Sequence, residues 1–178
     1  PAGMIVRINH GRPHDPVSYW PPQPRPDWSP LPIRHGRWAR TFLRQQLEHV
    51  VKQHLLADVP VACFLSSGLD SGILTALASR LQPGGIAIFT VALPGTPQDE
   101  CLEARRLAQH CGSEHHELVI EPEQALGWVE QALTTLDLPS AEAINTYLVS
   151  RAVAGQGIKG ALSGLGADEL FGGYPSHR

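Results

Sequence analysis

Two short segments of the chain combine small residues with carboxylates, a mixture suited to binding a phosphorylated ligand. The first, residues 65–71, reads Leu-Ser-Ser-Gly-Leu-Asp-Ser and stands between an apolar run and an apolar helical pattern. Small residues let the backbone approach a ligand closely, and a helix start offers unpaired N–H groups and a positive dipole end. This donor set meets the requirements of a pyrophosphate. A turn in which Asp70 or Ser71 only caps the helix explains the same residues.

The second segment, residues 163–174, reads Ser-Gly-Leu-Gly-Ala-Asp-Glu-Leu-Phe-Gly-Gly-Tyr and again follows an apolar run. Asp70 and Asp168, one on each segment, could share a Mg²⁺ ion that bridges polyphosphate oxygens. The alternative is that Asp168 and Glu169 only begin a helix and face solvent. A dinucleotide-binding GxGxxG pattern fails because Glu169 takes the third glycine position, and no GxxxxGK[ST] pattern is present.

The segments around them alternate between strand-like and helix-like patterns. Near-continuous apolar runs predict buried parallel strands, and apolar residues recurring at threes and fours predict helices. The predicted strands are Val59–Leu65, Ile86–Val91, His116–Ile120 and Gly160–Ser163. The predicted helices are 34–55, Ser71–Leu81, Asp99–Cys111, Glu123–Leu136 and Ile144–Gln156. This order predicts an α/β fold with an open, mainly parallel twisted sheet and flanking helices, in which ligands bind beyond the carboxyl ends of the strands.

Length and composition fit a globular domain. The chain has 178 residues, 42% of them hydrophobic, and a formal net charge of −3, which argues against disorder and against a polyanion-binding surface. Its apolar runs are too short to cross a bilayer, and no secretory signal opens the chain. The three cysteines form no disulfide framework or metal pair, and Cys63 is predicted to be a small buried thiol. We therefore expect a cytoplasmic protein with reduced thiols.

Proline is concentrated at the start of the chain, where nine of the 16 prolines fall within the first 32 residues. Because proline fixes φ and removes backbone donors, this stretch cannot form a helix interior or a central strand. It is interpreted as a linker or extended arm that packs through Tyr19, Trp20 and Trp28, with an SH3- or WW-ligand role as the alternative. The predicted boundary lies between residues 33 and 34.

Taken together, the two segments carry a family resemblance. Residues 66–71 resemble the SGGxDS pyrophosphate loop of the adenylating ATP pyrophosphatases, and residues 163–174 resemble the second ATP loop of the asparagine synthetase family. Further matches lie at 89–95, 115–117 and 143–151, so the resemblance covers about residues 35–178. It implies an adenine nucleotide alpha hydrolase-like, Rossmann-like fold. It further implies that residues 1–33 are the end of a glutaminase domain with its linker, and that 34–178 are the N-terminal part of a synthetase domain cut at its C-terminus.

The resemblance also implies a reaction. ATP, with Mg²⁺, would adenylate a carboxylate with loss of pyrophosphate, and ammonia from a glutaminase domain would then form the amide. Aspartate is the acid that the family implies; a homodimer is left open, and neither nucleic acid nor membrane is expected as a partner. By motif position the metal would lie near Asp70 and Asp168. The implied contacts to the adenosine part are Leu65, Val91, Ser163 and Gly164. Those to the phosphates are Ser66, Ser67, Gly68, Asp70 and Ser71.

Three departures from the family pattern limit what carries over. Ser67 replaces a glycine, which is tolerable where that residue avoids positive φ. Gly72 replaces a common serine, and Leu165 replaces a glutamate linked to formation of the aspartyl-adenylate. Leu165 thus keeps open a related amide- or lactam-forming enzyme acting on another acid, and a non-catalytic nucleotide-binding module is the alternative outside enzymes. Arg105 or Arg106 could approach the phosphates, although both suit an exposed helix face.

The chain taken alone is expected to bind ATP weakly and to form no amide. In the family, a helical continuation after the second ATP loop completes the acid-substrate pocket and supplies a lysine for the adenylate. None of the three cysteines matches the family's N-terminal glutaminase nucleophile. Because Leu165 replaces the family's glutamate, the catalytic residues are left unassigned.

Overall fold

The computed structural model describes residues 3–19, 36–82, 84–92, 94–96, 99–138 and 140–174. The chain divides into two compact units, Pro1–Phe42 and Leu43–Arg178. Among the described residues, no helix is long and apolar enough to cross a membrane.

The start of the first unit consists of short antiparallel strand pairs that the sequence analysis did not predict. Strand β1 (Met4–Ile5) pairs with β4 (Val17–Ser18), and β2 (Ile8–Asn9) pairs with β3 (Arg12–Pro13). The turn between β2 and β3 has positive φ at His10 and Gly11, as tight hairpin turns require. The expected packing through Tyr19 is wrong, since its side chain is 64% exposed; Trp20 and Trp28 lie outside the described residues.

The second unit contains a four-stranded parallel sheet with helices around it. After α1 (Gly36–His54), which spans the division between the units, the strands and helices follow in the predicted alternating order, with one further short helix at the end that was not predicted. They are β5 (Val61–Phe64), α2 (Leu69–Leu81), β6 (Ala87–Ala92), α3 (Cys101–Cys111), β7 (His115–Val119), α4 (Pro122–Thr135), α5 (Ala141–Ala154), β8 (Gly160–Leu162) and α6 (Ala167–Phe171). The sheet order is β7-β6-β5-β8, and every pairing in it is parallel. The predicted fold class is confirmed.

The apolar core lies on both faces of this sheet. Along β5, Cys63 belongs to a buried cluster with residues of α1, α2 and α3, whereas its neighbour Ala62 belongs to a second cluster with Val153 of α5. Successive strand residues point to opposite faces, so a strand covered on both sides needs the apolar run that the sequence shows. Burial raises the pKa of the Cys63 thiol to about 11, in agreement with the predicted buried thiol.

Several boundaries differ from the predicted ones for local physical reasons. Helix α5 begins three residues early because the Ser140 hydroxyl oxygen accepts a hydrogen bond from the Ala143 N–H at 3.1 Å. Helix α3 begins two residues late, at Cys101, whose N–H donates to the Asp99 carboxylate. The predicted apolar stripe of α1 is buried at Val51, whereas Trp38 and Phe42 stack on each other and remain partly exposed.

Candidate functional site

The first loop (residues 65–71) joins the carboxyl end of β5 to the start of α2. The hydroxyls of Ser66 and Ser71 lie 2.8 Å apart, and Ser71 Oγ also accepts the Ser66 N–H at 3.2 Å. The Gly68 N–H donates to Ser66 Oγ at 3.2 Å. These hydrogen bonds within the loop hold the hydroxyls of Ser66 and Ser71 next to each other.

The first turn of α2 tests the interpretation in which this loop only caps the helix. Gly68 occupies the cap position without a side-chain cap hydrogen bond, and Asp70 and Ser71 lie inside the helix. The interpretation in which Asp70 or Ser71 caps the helix is therefore wrong. Ser67 has no positive φ, so the condition for replacing a glycine is met.

The second loop (residues 163–166) follows β8 and leads into α6. Ser163 Oγ accepts the Leu165 N–H at 3.2 Å, and Gly166 takes a φ of 93°, which glycine adopts without strain. Leu165 is 73% exposed. The loop thus presents an apolar side chain at the position where a glutamate was expected from the family pattern.

The tertiary structure brings the two loops into contact at Gly164. A Cβ built on Gly164 would lie 2.9 Å from the Ser71 backbone nitrogen and 3.2 Å from the Asp70 carbonyl carbon. Because those atoms are backbone, only glycine allows this approach without a shift. The contact follows from the pairing of β5 with β8, which places their carboxyl ends side by side.

The two carboxylates proposed for Mg²⁺ are half-buried, and each lies in the helix that follows one of the two loops. Asp70 lies in the first turn of α2, and Asp168 lies in the first turn of α6, where a Cβ on Gly173 would collide with its Oδ1. Within the described part of the chain, no group of three or more His, Cys, Asp or Glu side chains could hold a metal by itself. Two carboxylates fit Mg²⁺, which proteins commonly hold through one or two carboxylates with water and substrate phosphates.

The residues expected near the adenosine part lie on β6 and at the end of β5. Leu65 is buried, its N–H donates to the Phe89 carbonyl at 2.9 Å, and its own carbonyl accepts the Thr90 hydroxyl at 2.9 Å. Val91 is half-buried one residue further along β6. Both are therefore held at the same sheet edge as the two loops.

Arg105 is paired with a carboxylate outside the two loops. Its guanidinium donates two hydrogen bonds, each 2.8 Å, to the Glu117 carboxylate on β7. This pair lowers the pKa of Glu117 below its ordinary value, chiefly through the hydrogen bonds from Arg105. The expectation of an exposed helix face is confirmed for Arg105 and Arg106.

Glu100 is the residue at the site that sequence reasoning missed. Its carboxylate accepts the Ser67 N–H at 3.1 Å and the Ser67 hydroxyl at 2.7 Å. Asp99 and Glu100 stand at the start of the predicted helix Asp99–Cys111, and a helix start favours carboxylates without any further partner. Since Ser67 and Glu100 are 33 positions apart, no local pattern signals the contact.

A cavity of about 410 Å³ lies elsewhere, between β7, α4 and α5, and includes Trp128 and Arg151 in its lining. Arg151 is held there by Tyr147 Oη at 2.8 Å, by Gln131 and by the faces of both aromatic rings. None of the residues of the two loops lines this cavity.

The parallel sheet and its flanking helices define the class of protein by fold: an open, Rossmann-like α/β fold. An NH3-dependent NAD synthetase from Campylobacter jejuni matches with a TM-score of 0.50 and 15% sequence identity, over 75% of this chain and 60% of that one. At that identity the likeness concerns the fold alone.

Sequence comparisons identify the family. A family model described as asparagine synthase matches residues 42–178. Asparagine synthetase B [glutamine-hydrolyzing] of Escherichia coli is 36% identical over 149 residues, which are 74% of this chain and 26% of the relative. A probable asparagine synthetase [glutamine-hydrolyzing] of Schizosaccharomyces pombe is 35% identical over 75% of this chain and 28% of the relative. The chain belongs to the asparagine synthase family, and it spans about a quarter of the length of these relatives.

Proposed function

We propose that this chain is the nucleotide-binding part of an ATP-dependent carbon–nitrogen ligase. A carboxylate oxygen of the acid attacks the α-phosphorus of ATP, the bond from that phosphorus to the bridging oxygen breaks, and pyrophosphate leaves. Ammonia then attacks the acyl carbon of the adenylate, loses a proton, and AMP departs with the electrons of the C–O bond. The names of the two relatives support glutamine as the source of ammonia and an acid that yields asparagine, namely aspartate.

The observation that carries the proposal is the approach of the two loops at Gly164. It places the serine-rich first loop, the start of α2 and the second loop around one point at the carboxyl ends of β5 and β8. A polyphosphate there would meet hydroxyl donors and the positive end of the α2 dipole. In such a reaction the protein mainly positions the reactants and stabilises charge on the phosphates.

We assign roles to these residues by their positions in the motifs that resemble the family. The groups proposed to hold the phosphates are Ser66, Ser67, Gly68, Asp70 and Ser71. Those proposed to contact the adenosine part are Leu65, Val91, Ser163 and Gly164. Asp70 and Asp168 would hold Mg²⁺, which when bound would neutralise charge on the phosphate oxygens.

The domain assignment follows from the same reasoning. We propose that residues 34–178 are the N-terminal part of the synthetase domain and that residues 1–33 are the end of a glutaminase domain with its linker. The family match supports the first part of this assignment, since it begins at residue 42.

Leu165 favours a second candidate, a related ligase that forms an amide or lactam from a different acid. A leucine side chain can neither accept a proton nor bind a cation, and this one is exposed beside the proposed site. Exchange of labelled pyrophosphate into ATP, measured in the longest gene product containing this chain with a panel of acids, distinguishes the two. Exchange that only aspartate supports would reject the second candidate.

Nucleotide binding itself is tested by calorimetric titration of the chain with ATP and Mg²⁺. We expect Asp70→Ala to weaken binding by about tenfold or more, equivalent to ~1.4 kcal/mol. Asp137→Ala is the matched control, because Asp137 is an exposed carboxylate in the segment between α4 and α5. Absence of binding by the folded wild-type chain, or equal loss in both variants, would reject the proposed site.

A further inference from the structure

The carboxylate of Glu100 accepts hydrogen bonds from the first loop. Its two oxygens take the N–H of Ser67 at 3.1 Å and the hydroxyl of Ser67 at 2.7 Å. Two anionic oxygens against one N–H and one O–H form the same kind of contact that a phosphate group makes with such a loop. The Glu100 carboxylate, which belongs to a different segment, therefore binds Ser67 in the way that a bound anion would.

The N–H groups on either side of Ser67 have a different kind of acceptor. The N–H groups of Ser66 and Gly68 are bonded by hydroxyls that belong to the loop itself, Ser71 Oγ and Ser66 Oγ. Serine hydroxyls can rotate and still donate to an incoming phosphate oxygen, since a hydroxyl is both donor and acceptor. The Ser67 N–H is bonded instead by a carboxylate, which has no proton to offer a phosphate and repels it.

Glu100, the acceptor in the contact with Ser67, lies at the start of a different helix. Glu100 directly precedes α3, and the adjacent Asp99 holds the Cys101 N–H at the start of that helix. Helix α3 is anchored in the core by Ala104 and Ala108, both fully buried. The carboxylate is thus attached to a fixed helix, while its side chain remains only partly buried and free to turn away from Ser67.

We propose that Glu100 is a built-in competitor for the pyrophosphate group. In the empty site it holds the first loop in shape through Ser67, and it leaves Ser67 when a pyrophosphate arrives. The serine at position 67 strengthens this contact, because a glycine there would lack the hydroxyl that donates at 2.7 Å. The inference rests on the proposed function, since it requires that the first loop bind phosphate.

The test compares Glu100→Gln with Glu103→Gln, which makes the same change of charge at an exposed position of α3. Glutamine keeps an oxygen that can accept from Ser67 but removes the negative charge. With inorganic pyrophosphate as the probe and Mg²⁺ present, we expect Glu100→Gln to bind about three- to tenfold more tightly than wild type. Glu103→Gln is expected to stay within about twofold of wild type.

The Ser67 amide resonance, followed by NMR without ligand, tests the contact independently of binding. We expect Glu100→Gln to shift it much more than Glu103→Gln does. An equal effect of the two variants on this resonance, or unchanged or weaker pyrophosphate binding in Glu100→Gln, would overturn the proposal. If wild type binds pyrophosphate and Glu100→Gln does not bind it more tightly, this inference alone fails. If no variant binds pyrophosphate, the proposed function fails with it.

Discussion

His115 lies in a chain of polar groups that leads to the strand end before the first loop. Thr90 Oγ1 donates its single proton to the Leu65 carbonyl at 2.9 Å, so its oxygen must receive the hydrogen bond from His115 Nε2 at 3.0 Å. The hydrogen of the neutral ring therefore sits on Nε2. On the other side, His115 Nδ1 lies 3.7 Å from the Glu117 carboxylate that Arg105 holds.

Burial lowers the pKa of His115 below its ordinary value of 6.5, although the Glu117 carboxylate opposes this shift. The unfolded chain then binds more protons than the folded one as the pH falls through 6.5, so this residue destabilises the fold on acidification. We expect the urea midpoint to fall between about pH 7.5 and about pH 5.5, and to fall less in His115→Gln. Glutamine retains an N–H for Thr90 but does not titrate.

His110→Gln is the control for this measurement, because His110 is an exposed histidine in the last turn of α3. It is expected to keep the pH dependence of the wild type. Glu117 adds a separate loss of stability at lower pH. Because the hydrogen bonds from Arg105 lower the pKa of Glu117 in the folded chain, its contribution to the free energy of unfolding is lost only below the ordinary pKa of 4.5. An identical pH dependence in wild type and His115→Gln would contradict the assignment to His115.

At the scale of elements, the important feature is the contact between the second loop and the start of α2. Strands β5 and β8 are neighbours in the sheet although almost a hundred residues separate them along the chain. Their pairing brings two separate loops to one point, and Gly164 sets how closely they approach. The geometry of the proposed site thus depends on the absence of a side chain at Gly164 as much as on the polar groups.

Gly164→Ala tests that dependence. The new methyl would meet backbone atoms of Ser71 and Asp70 that cannot move without shifting α2, so we expect a loss of about 1–3 kcal/mol in the free energy of unfolding. Binding of ATP and Mg²⁺ should weaken in parallel, because the two loops would be held further apart. Chemical denaturation and calorimetry measure the two effects.

Gly127→Ala is the matched control, since Gly127 lies in α4 and a Cβ there would have nothing within 4 Å. Alanine favours a helix interior over glycine, and we expect unchanged or increased stability, by up to about 1 kcal/mol. A Gly164→Ala variant as stable as the wild type would show that the loops do not pack as described.

At the scale of the whole molecule, the proposed site belongs entirely to the second unit. Both loops, Glu100 and the four-stranded sheet lie within Leu43–Arg178. None of the described residues 3–19 is buried. The members of the two described core clusters all lie in the second unit as well.

Deletion of residues 1–35 tests this separation. We expect the shortened chain, which keeps all of α1, to bind ATP and Mg²⁺ within about twofold of the whole chain. Its denaturation midpoint should change little, because every residue of the two described core clusters lies in the part of the chain that remains. Loss of binding or a clearly lower midpoint would instead assign a structural role to the first 35 residues.

Local patterns in the sequence were enough to predict the order of the four strands and of the longer helices in the second unit, but not the short helix α6. Burial on both faces of a parallel sheet requires apolar runs such as the one around Cys63, and helices packed on it require apolar residues at threes and fours. The serine-rich segment before α2 was recognisable because a strand–loop–helix junction that binds an anion needs small residues and donors within a few positions. These features arise between neighbours in the chain, so they are visible without coordinates.

Contacts between distant residues were decided only by the tertiary structure. The pairing of β5 with β8, the close approach at Gly164 and the carboxylate of Glu100 on Ser67 each join residues more than 30 positions apart. Residue type alone allows many partners for a carboxylate or a glycine, and a helix start explained Glu100 equally well. The packing of α2 and α3 against the sheet selects one partner for each, because only in the folded chain are those groups within hydrogen-bond or van der Waals distance.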